Sequence, residues 1–115
     1  VNVASLELSK ELYAASGWND TSYAWGTDGL FPLTVVGAGF QKGDVAPAYD
    51  LGYLLRKLPY CDLICFSDGK YTAIWEGDDT DLKGRSNSSP ENAVARLCIK
   101  LFESGVLQPA RGDMQ

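Results

Sequence analysis

The sequence predicts an α+β domain, with about three helices packed against a small antiparallel sheet in a sandwich-like arrangement. Three observations carry this expectation. Residues 89–105 hold helix start, stripe and stop signals in one run. A second helical pattern opens at Pro47. Between them, 62–75 places β-prone residues on either side of Asp68-Gly69, a strong hairpin signal. At 115 residues the chain suits a single domain, spanning 1–108, with 109–115 as a flexible C-terminal tail.

Taken in order, residues 4–16 (ASLELSKELYAAS) read as the first helix. Leu8, Leu12 and Ala15 form one stripe flanked by Leu6 and Tyr13, and Glu7, Lys10 and Glu11 fall on the polar side. Gly17 suits the left-handed stop, after which Trp18 can pack back onto the helix. Residues 18–46 mix Trp18, Tyr23, Trp25, Phe31 and Phe40 with glycines. Short strands are expected at 23–25 and 33–36, because a structureless loop of this length is uncommon unless it has a function. Residues 47–58 read as the second helix, with Pro47 at its start and Asp50 in its first turn. Leu51, Leu54, Leu55 and Leu58 form its buried face, Arg56 and Lys57 sit at its negative end, and Pro59 stops it.

In 62–75, a two-residue type I′ turn at Asp68-Gly69 sets the register. It pairs Cys65 with Thr72, Ile64 with Ala73, Leu63 with Ile74, and Asp62 with Trp75. Ile64, Phe66, Tyr71, Ala73 and Trp75 then share one face, and Cys61, Leu63, Cys65 and Ile74 the other. Both faces are apolar, so the sheet must be covered on both sides or its aromatic face must bind something. Residues 77–81 form an acidic turn, and Leu82–Ser86 a third strand. In the last helix Ser89 caps, Pro90 fits the first position and Glu91 complements the dipole. Val94, Leu97, Cys98, Leu101 and Phe102 make the stripe, which Ala95 and Ile99 widen, and Gly105 ends it.

The net charge of −5 argues against a general nucleic-acid binder and against an anionic membrane surface. Neither partner is expected; a protein partner is. Three cysteines do not make a disulfide framework, so buried free thiols in a reducing cytosol are the expectation. No run of about eighteen apolar residues suggests a membrane span, and no leader-like segment is visible. A cytoplasmic location follows as an expectation.

Chemistry-bearing motifs are few. Histidine is absent, which removes the commonest general base and metal ligand. Asp78, Asp79 and Asp81 fail the EF-hand pattern, because Lys83 and Pro90 stand where ligands are required. Cys61 and Cys65 lack the further ligands zinc needs. The run GAGFQKG at 37–43 lacks the Lys-Ser/Thr pair of a phosphate loop. Arg111-Gly112-Asp113 and the Asn19 and Asn87 sequons are idle without secretion. No catalytic residue, metal or cofactor is therefore expected. The aromatic residues Trp18, Tyr23, Trp25, Phe31, Tyr71 and Trp75 are the candidate ligand-binding set, weighed against a core role.

Two stretches, PAYDLGYLLRKLP at 47–59 and SPENAVARLCIKLFESGVL at 89–107, together with LELSKELYAASGW near the start, resemble a group of small uncharacterised proteins of tailed bacteriophages. In outline that group is similar to the phage ABA sandwich domain. Ser89 stands where the group usually has Thr, and 26–46 does not match. The resemblance covers 5–107, implies a helix-flanked small sheet and transfers no functional residue. Small size, acidity, the lack of a catalytic constellation and this resemblance together give the expectation of a non-enzymatic phage or prophage accessory protein that binds a host, defence or phage protein in the host cytoplasm. The alternative is a small-ligand or nucleotide binder using 18–46 against the hairpin face. An RNA-binding module is a further reading, disfavoured because the last helix opens without a basic cluster.

Overall fold

In the computed structural model, which describes residues 2–33, 45–58, 60–77, 81–86 and 88–109, three short polar side chains start three helices. Ser5 Oγ accepts from the Leu8 N–H at 3.3 Å and opens α1 (Leu6–Ser16). Asp50 Oδ1 accepts from the Tyr53 N–H at 2.8 Å and opens α2 (Leu51–Lys57). Ser89 Oγ accepts from the Asn92 N–H at 3.0 Å and opens α3 (Pro90–Glu103). The stops follow the sequence signals. Gly17 ends α1 at φ 73°, with its N–H on the Tyr13 carbonyl. Gly105 follows α3 at φ 86°, and Val106 N–H returns to the Leu101 carbonyl at 2.9 Å.

The chain is α+β. Its strands form two three-stranded antiparallel sheets. The first has the order β2-β1-β3, from β1 (Tyr23–Gly26), β2 (Gly29–Pro32) and β3 (Ala46–Ala48). The second has the order β4-β5-β6, from β4 (Asp62–Cys65), β5 (Tyr71–Glu76) and β6 (Asp81–Ser86). Four expectations need correction. The second helix begins at Leu51 and not at Pro47. Asp50 is its cap, and Pro47 lies in β3, an edge strand where a missing N–H is tolerated. β1 pairs with Gly29–Pro32, a strand that the sequence reading did not place. Of the strand expected at 33–36, residues 34–36 lie outside the described residues, as do 37–43, Asp78, Asp79, Asn87 and 111–113.

The third correction is the hairpin register. The pairs are Asp62–Ile74, Leu63–Ala73, Ile64–Thr72 and Cys65–Tyr71, one residue from the expected set. A type I′ turn needs positive φ at both central residues, and here only Gly69 has it, at 86°. The loop closes with Gly69 N–H on the Phe66 carbonyl and Phe66 N–H on the Lys70 carbonyl, giving a three-residue connection with glycine in the left-handed position. Because side chains alternate, this slip regroups the faces. Leu63, Cys65, Tyr71, Ala73, Trp75, Leu82, Gly84 and Ser86 now share the inner face, toward α3. Asp62, Ile64, Thr72, Ile74, Lys83 and Arg85 share the outer one. Ala73 is fully buried on the inner face, while Ile64, Lys83 and Arg85 are exposed on the outer one, where Thr72 of the central strand is buried.

The fourth correction concerns the thiols. Only Cys98 is buried; Cys61 is half-buried and Cys65 exposed, and all three are free. The core is built around α3, which packs on α1 and α2 and on the inner face of the second sheet. Val94, Leu97, Cys98 and Leu101 are fully enclosed, with Leu12, Tyr49 and Leu54 around them. No helix among the described residues is long and apolar enough to cross a membrane.

Candidate binding surface

From Ala93 to Leu101, only Arg96 and Lys100 of α3 are exposed. They stand one turn apart, so their side chains lie on the same stripe. That stripe borders β6, and Gly84 sets how closely. A Cβ on Gly84 would stand 2.1 Å from the Ala93 carbonyl oxygen and 2.5 Å from the Leu97 nitrogen, so only glycine lets the strand lie on the helix backbone. At this separation the Arg96 guanidinium donates to the Arg85 carbonyl and the Lys100 ammonium donates to the Lys83 carbonyl. These alternate carbonyls belong to the free edge of β6. Their capping by cations protects an edge strand that would otherwise offer itself for pairing.

The side chains of Lys83 and Arg85 point from the outer face of the same strand. With Arg96, Lys100, Asp81 and Leu82 they line an open cleft of about 660 Å³. Four of the ten Lys and Arg residues of a chain with net charge −5 thus surround one cleft, and among the described residues that line it Asp81 is the one carboxylate. Among the described residues none of the four has a carboxylate partner; the ion pairs formed are Lys57–Asp20 at 3.8 Å and Lys70–Asp68 at 3.7 Å.

A second cleft of about 420 Å³ lies at the end of the sheet. It is lined by Phe66, Asp68, Lys70, Tyr71, Thr72, Arg85 and Ser86. Its origin is the hairpin itself. β6 ends at Ser86 opposite Tyr71, while the Phe66–Lys70 pair and its turn project beyond, leaving a step. Arg85 lines both clefts.

The aromatic residues expected to bind ligand are not brought together. Trp18 is buried against Phe102 and Tyr53, with ring centroids at 5.1 and 6.3 Å, and lies under the Lys57 ammonium. Tyr23 and Trp25 share one face of the first sheet and Phe31 is on the other. The Trp25 indole N–H is buried without an acceptor among the described residues. Trp75 packs on the core, and of the six only Tyr71 lines a cleft described above. The Tyr71 phenol is pushed up by its hydrogen bond with the Cys65 thiol, its cross-strand neighbour.

Elsewhere the perturbed groups are structural. Burial, then the bond to Asp20, holds Tyr53 protonated far above the usual phenol range. That bond, donated by the Tyr53 hydroxyl, in turn lowers Asp20. Burial likewise raises Tyr49, whose hydroxyl donates to the Trp18 carbonyl at 2.6 Å. Burial pushes the Cys98 thiol up to about 12.

Sequence reasoning did not find Lys83, Arg85, Arg96 and Lys100. The signal was present as two patterns of different period: Lys-x-Arg on a strand, and Arg-x3-Lys on the one polar stripe of the next helix. Compared with known proteins, the chain matches no family model, no curated protein and no solved structure.

Proposed function

We propose that this domain is a non-enzymatic cytoplasmic accessory protein that binds an acidic, extended segment of a protein partner across the β6–α3 cleft. The phage or prophage setting implied by the resemblance belongs to the same proposal. The observation that carries the binding reading is the convergence of Lys83, Arg85, Arg96 and Lys100 round one open cleft in an acidic chain. Beyond about 8 Å at physiological salt the remaining negative charge is screened, so a ligand at the cleft meets the local positive field.

Spacing favours an extended occupant. Lys83 and Arg85 are two residues apart on a strand, roughly 6.6 Å. Arg96 and Lys100 are four apart on a helix, roughly 6 Å. Acidic residues at alternate positions of an extended peptide repeat at about the same interval. The lining Leu82 supplies apolar contact that a bare polyanion would not use. Asp81 and the exposed Glu76 at the far end disfavour a long nucleic-acid track. Absence of histidine supports a binding role over acid–base catalysis.

Fluorescence anisotropy with a labelled twelve-residue peptide carrying Glu at alternate positions tests the proposal, with oligo-dT of equal length as the comparison. Two exposed charge pairs at roughly 0.5–1 kcal/mol each correspond to about five- to thirtyfold in affinity. The double variant Lys83→Gln/Arg96→Gln is therefore expected to weaken peptide binding severalfold, and more at low salt. Oligo-dT binding as tightly as the peptide would overturn the reading in favour of nucleic acid.

A further inference from the structure

The second sheet has two edges, and they differ. The carbonyls of β6 are met by Arg96 and Lys100, whereas β4 carries no such guard among the described residues. Phe66 N–H bonds the Lys70 carbonyl, so hydrogen-bonded pairs fall at Phe66, Ile64 and Asp62. Leu63 and Cys65 therefore turn their N–H and C=O groups away from β5. Among the described residues no backbone group meets them there. α3 lies over β5 and β6 and barely reaches β4, so it leaves this edge open. Beside the edge, on the outer face, stand Ile64 and Phe66, 40% and 48% exposed.

We propose that β4 pairs antiparallel with β4 of a second copy of this chain, joining two three-stranded sheets into one. A two-fold axis at Leu63, Ile64 or Cys65 would let the outward backbone groups meet and keep like faces together. Charge selects among the three. An axis at Cys65 sets Asp62 opposite Asp68 of the other copy, and like charges opposite one another are unfavourable. An axis at Leu63 brings the two Asp62 residues to roughly 8 Å, while one at Ile64 holds them roughly 14 Å apart, past the screening length of about 8 Å. With the axis at Ile64, each Asp62 faces Phe66 of the other copy, beside which Lys70 supplies a positive charge. Asp68 is turned to its own Lys70, accepting from its N–H at 3.1 Å and standing 3.7 Å from its ammonium. Each Leu63 then exchanges backbone bonds with Cys65 of the other copy. Ile64 meets Ile64 as a close pair without hydrogen bonds, flanked by both Phe66 rings. The joined sheet ends in a capped β6 on either side, so association closes at two copies.

Sedimentation velocity of the intact protein, from low micromolar to near-millimolar concentration, tests the pairing. The contact is small, so a reversible dimer with a dissociation constant on the order of 10 μM is expected. Ile64→Lys, at an exposed position, sets two ammonium groups against each other at the axis and should weaken the dimer at least tenfold with unchanged circular dichroism. Lys83→Gln/Arg96→Gln, at the opposite edge, should change it less than twofold, so dimerisation and acidic-peptide binding stand or fall separately. Cysteine crosslinking in a Cys65→Ser background reads the register. Under mild oxidation Ile64→Cys should give a disulfide-linked dimer at least tenfold faster than Phe66→Cys, whose two copies the axis holds roughly 14 Å apart. A monomer throughout the concentration range would overturn the proposal, as would a dimer indifferent to Ile64→Lys or equal crosslinking of the two cysteine variants.

Discussion

Replacing Gly84 by alanine tests how the binding surface is built. Gly84 is in the middle of β6, and its backbone needs no left-handed conformation. If space were free, alanine would stabilise by reducing the freedom of the unfolded chain, by roughly 0.4–1 kcal/mol. Space is not free. The added Cβ would lie 2.1 Å from the Ala93 carbonyl oxygen, where ordinary contact begins at 3.4 Å. The strand and helix must therefore separate by about 1.3 Å, the difference between those distances. Both partners are backbone, so no rotamer can relieve the clash. The separation loosens the packing of Val94, Leu97 and Cys98, all fully buried, against the inner face. Overpacking typically costs 1–3 kcal/mol, and a clash that rigid belongs at the upper end, about 3 kcal/mol. That corresponds to a fall in Tm of roughly 10–25 °C for a domain near this size. Urea denaturation and thermal circular dichroism measure it directly. A loss below 1 kcal/mol, or any gain, would show that β6 does not rest on the α3 backbone. The acidic-peptide affinity should fall as well, since Arg96 and Lys100 would lose the Arg85 and Lys83 carbonyls that hold them.

Other outcomes follow from single interactions. Ser89→Ala removes the cap of α3 and should cost about 1 kcal/mol in urea denaturation, whereas Ser89→Gly should cost only a few tenths. Asp20 is lowered by the Tyr53 hydroxyl, so its contribution is present above about pH 4 and disappears as pH falls through the folded value. Asp20 is largely exposed, so the effect is a few tenths of a kcal/mol, and Tyr53→Phe should flatten it. At the alkaline end, Tyr49 and Tyr53 are raised above the usual phenol value. Stability should hold below about pH 10 and decline as pH rises beyond it, measured by chemical denaturation at each pH. With Ellman's reagent at pH 8, Cys65 should react first and Cys61 more slowly. Cys98, buried and raised to about 12, should react only on unfolding, and early labelling of Cys98 would contradict the core described.

Much of the fold was legible because local signals and packing agree. In α3 the cap, the proline, the stripe and the stop all point one way, and its ends fall as expected. The failures arose where one local signal had two geometric outcomes. Asp68-Gly69 specifies a turn, but not whether Asp68 adopts positive φ, and that choice moves the register by one residue and changes which β4 side chains share a face with Tyr71, Ala73 and Trp75. Pro47 is as suitable to an edge strand as to a first helical turn, and the strand outcome depends on pairing with Ala24, distant in sequence. The candidate surface was hidden for a related reason. Lys83 and Arg85 look like an ordinary solvated strand until Gly84 brings them beside Arg96 and Lys100. The aromatic residues drew attention by type, yet Trp18 owes its place to the Gly17 stop and the core it caps.

The central claim is that the β6–α3 cleft receives an acidic extended peptide, and backbone amide shift mapping tests it most directly. On titration with the alternating-Glu peptide, shifts should concentrate on Asp81–Ser86 and on Arg96 and Lys100, leave α1 unmoved, and fade as salt is raised. Shifts spread over the first sheet or α1, or none at millimolar peptide, would contradict it.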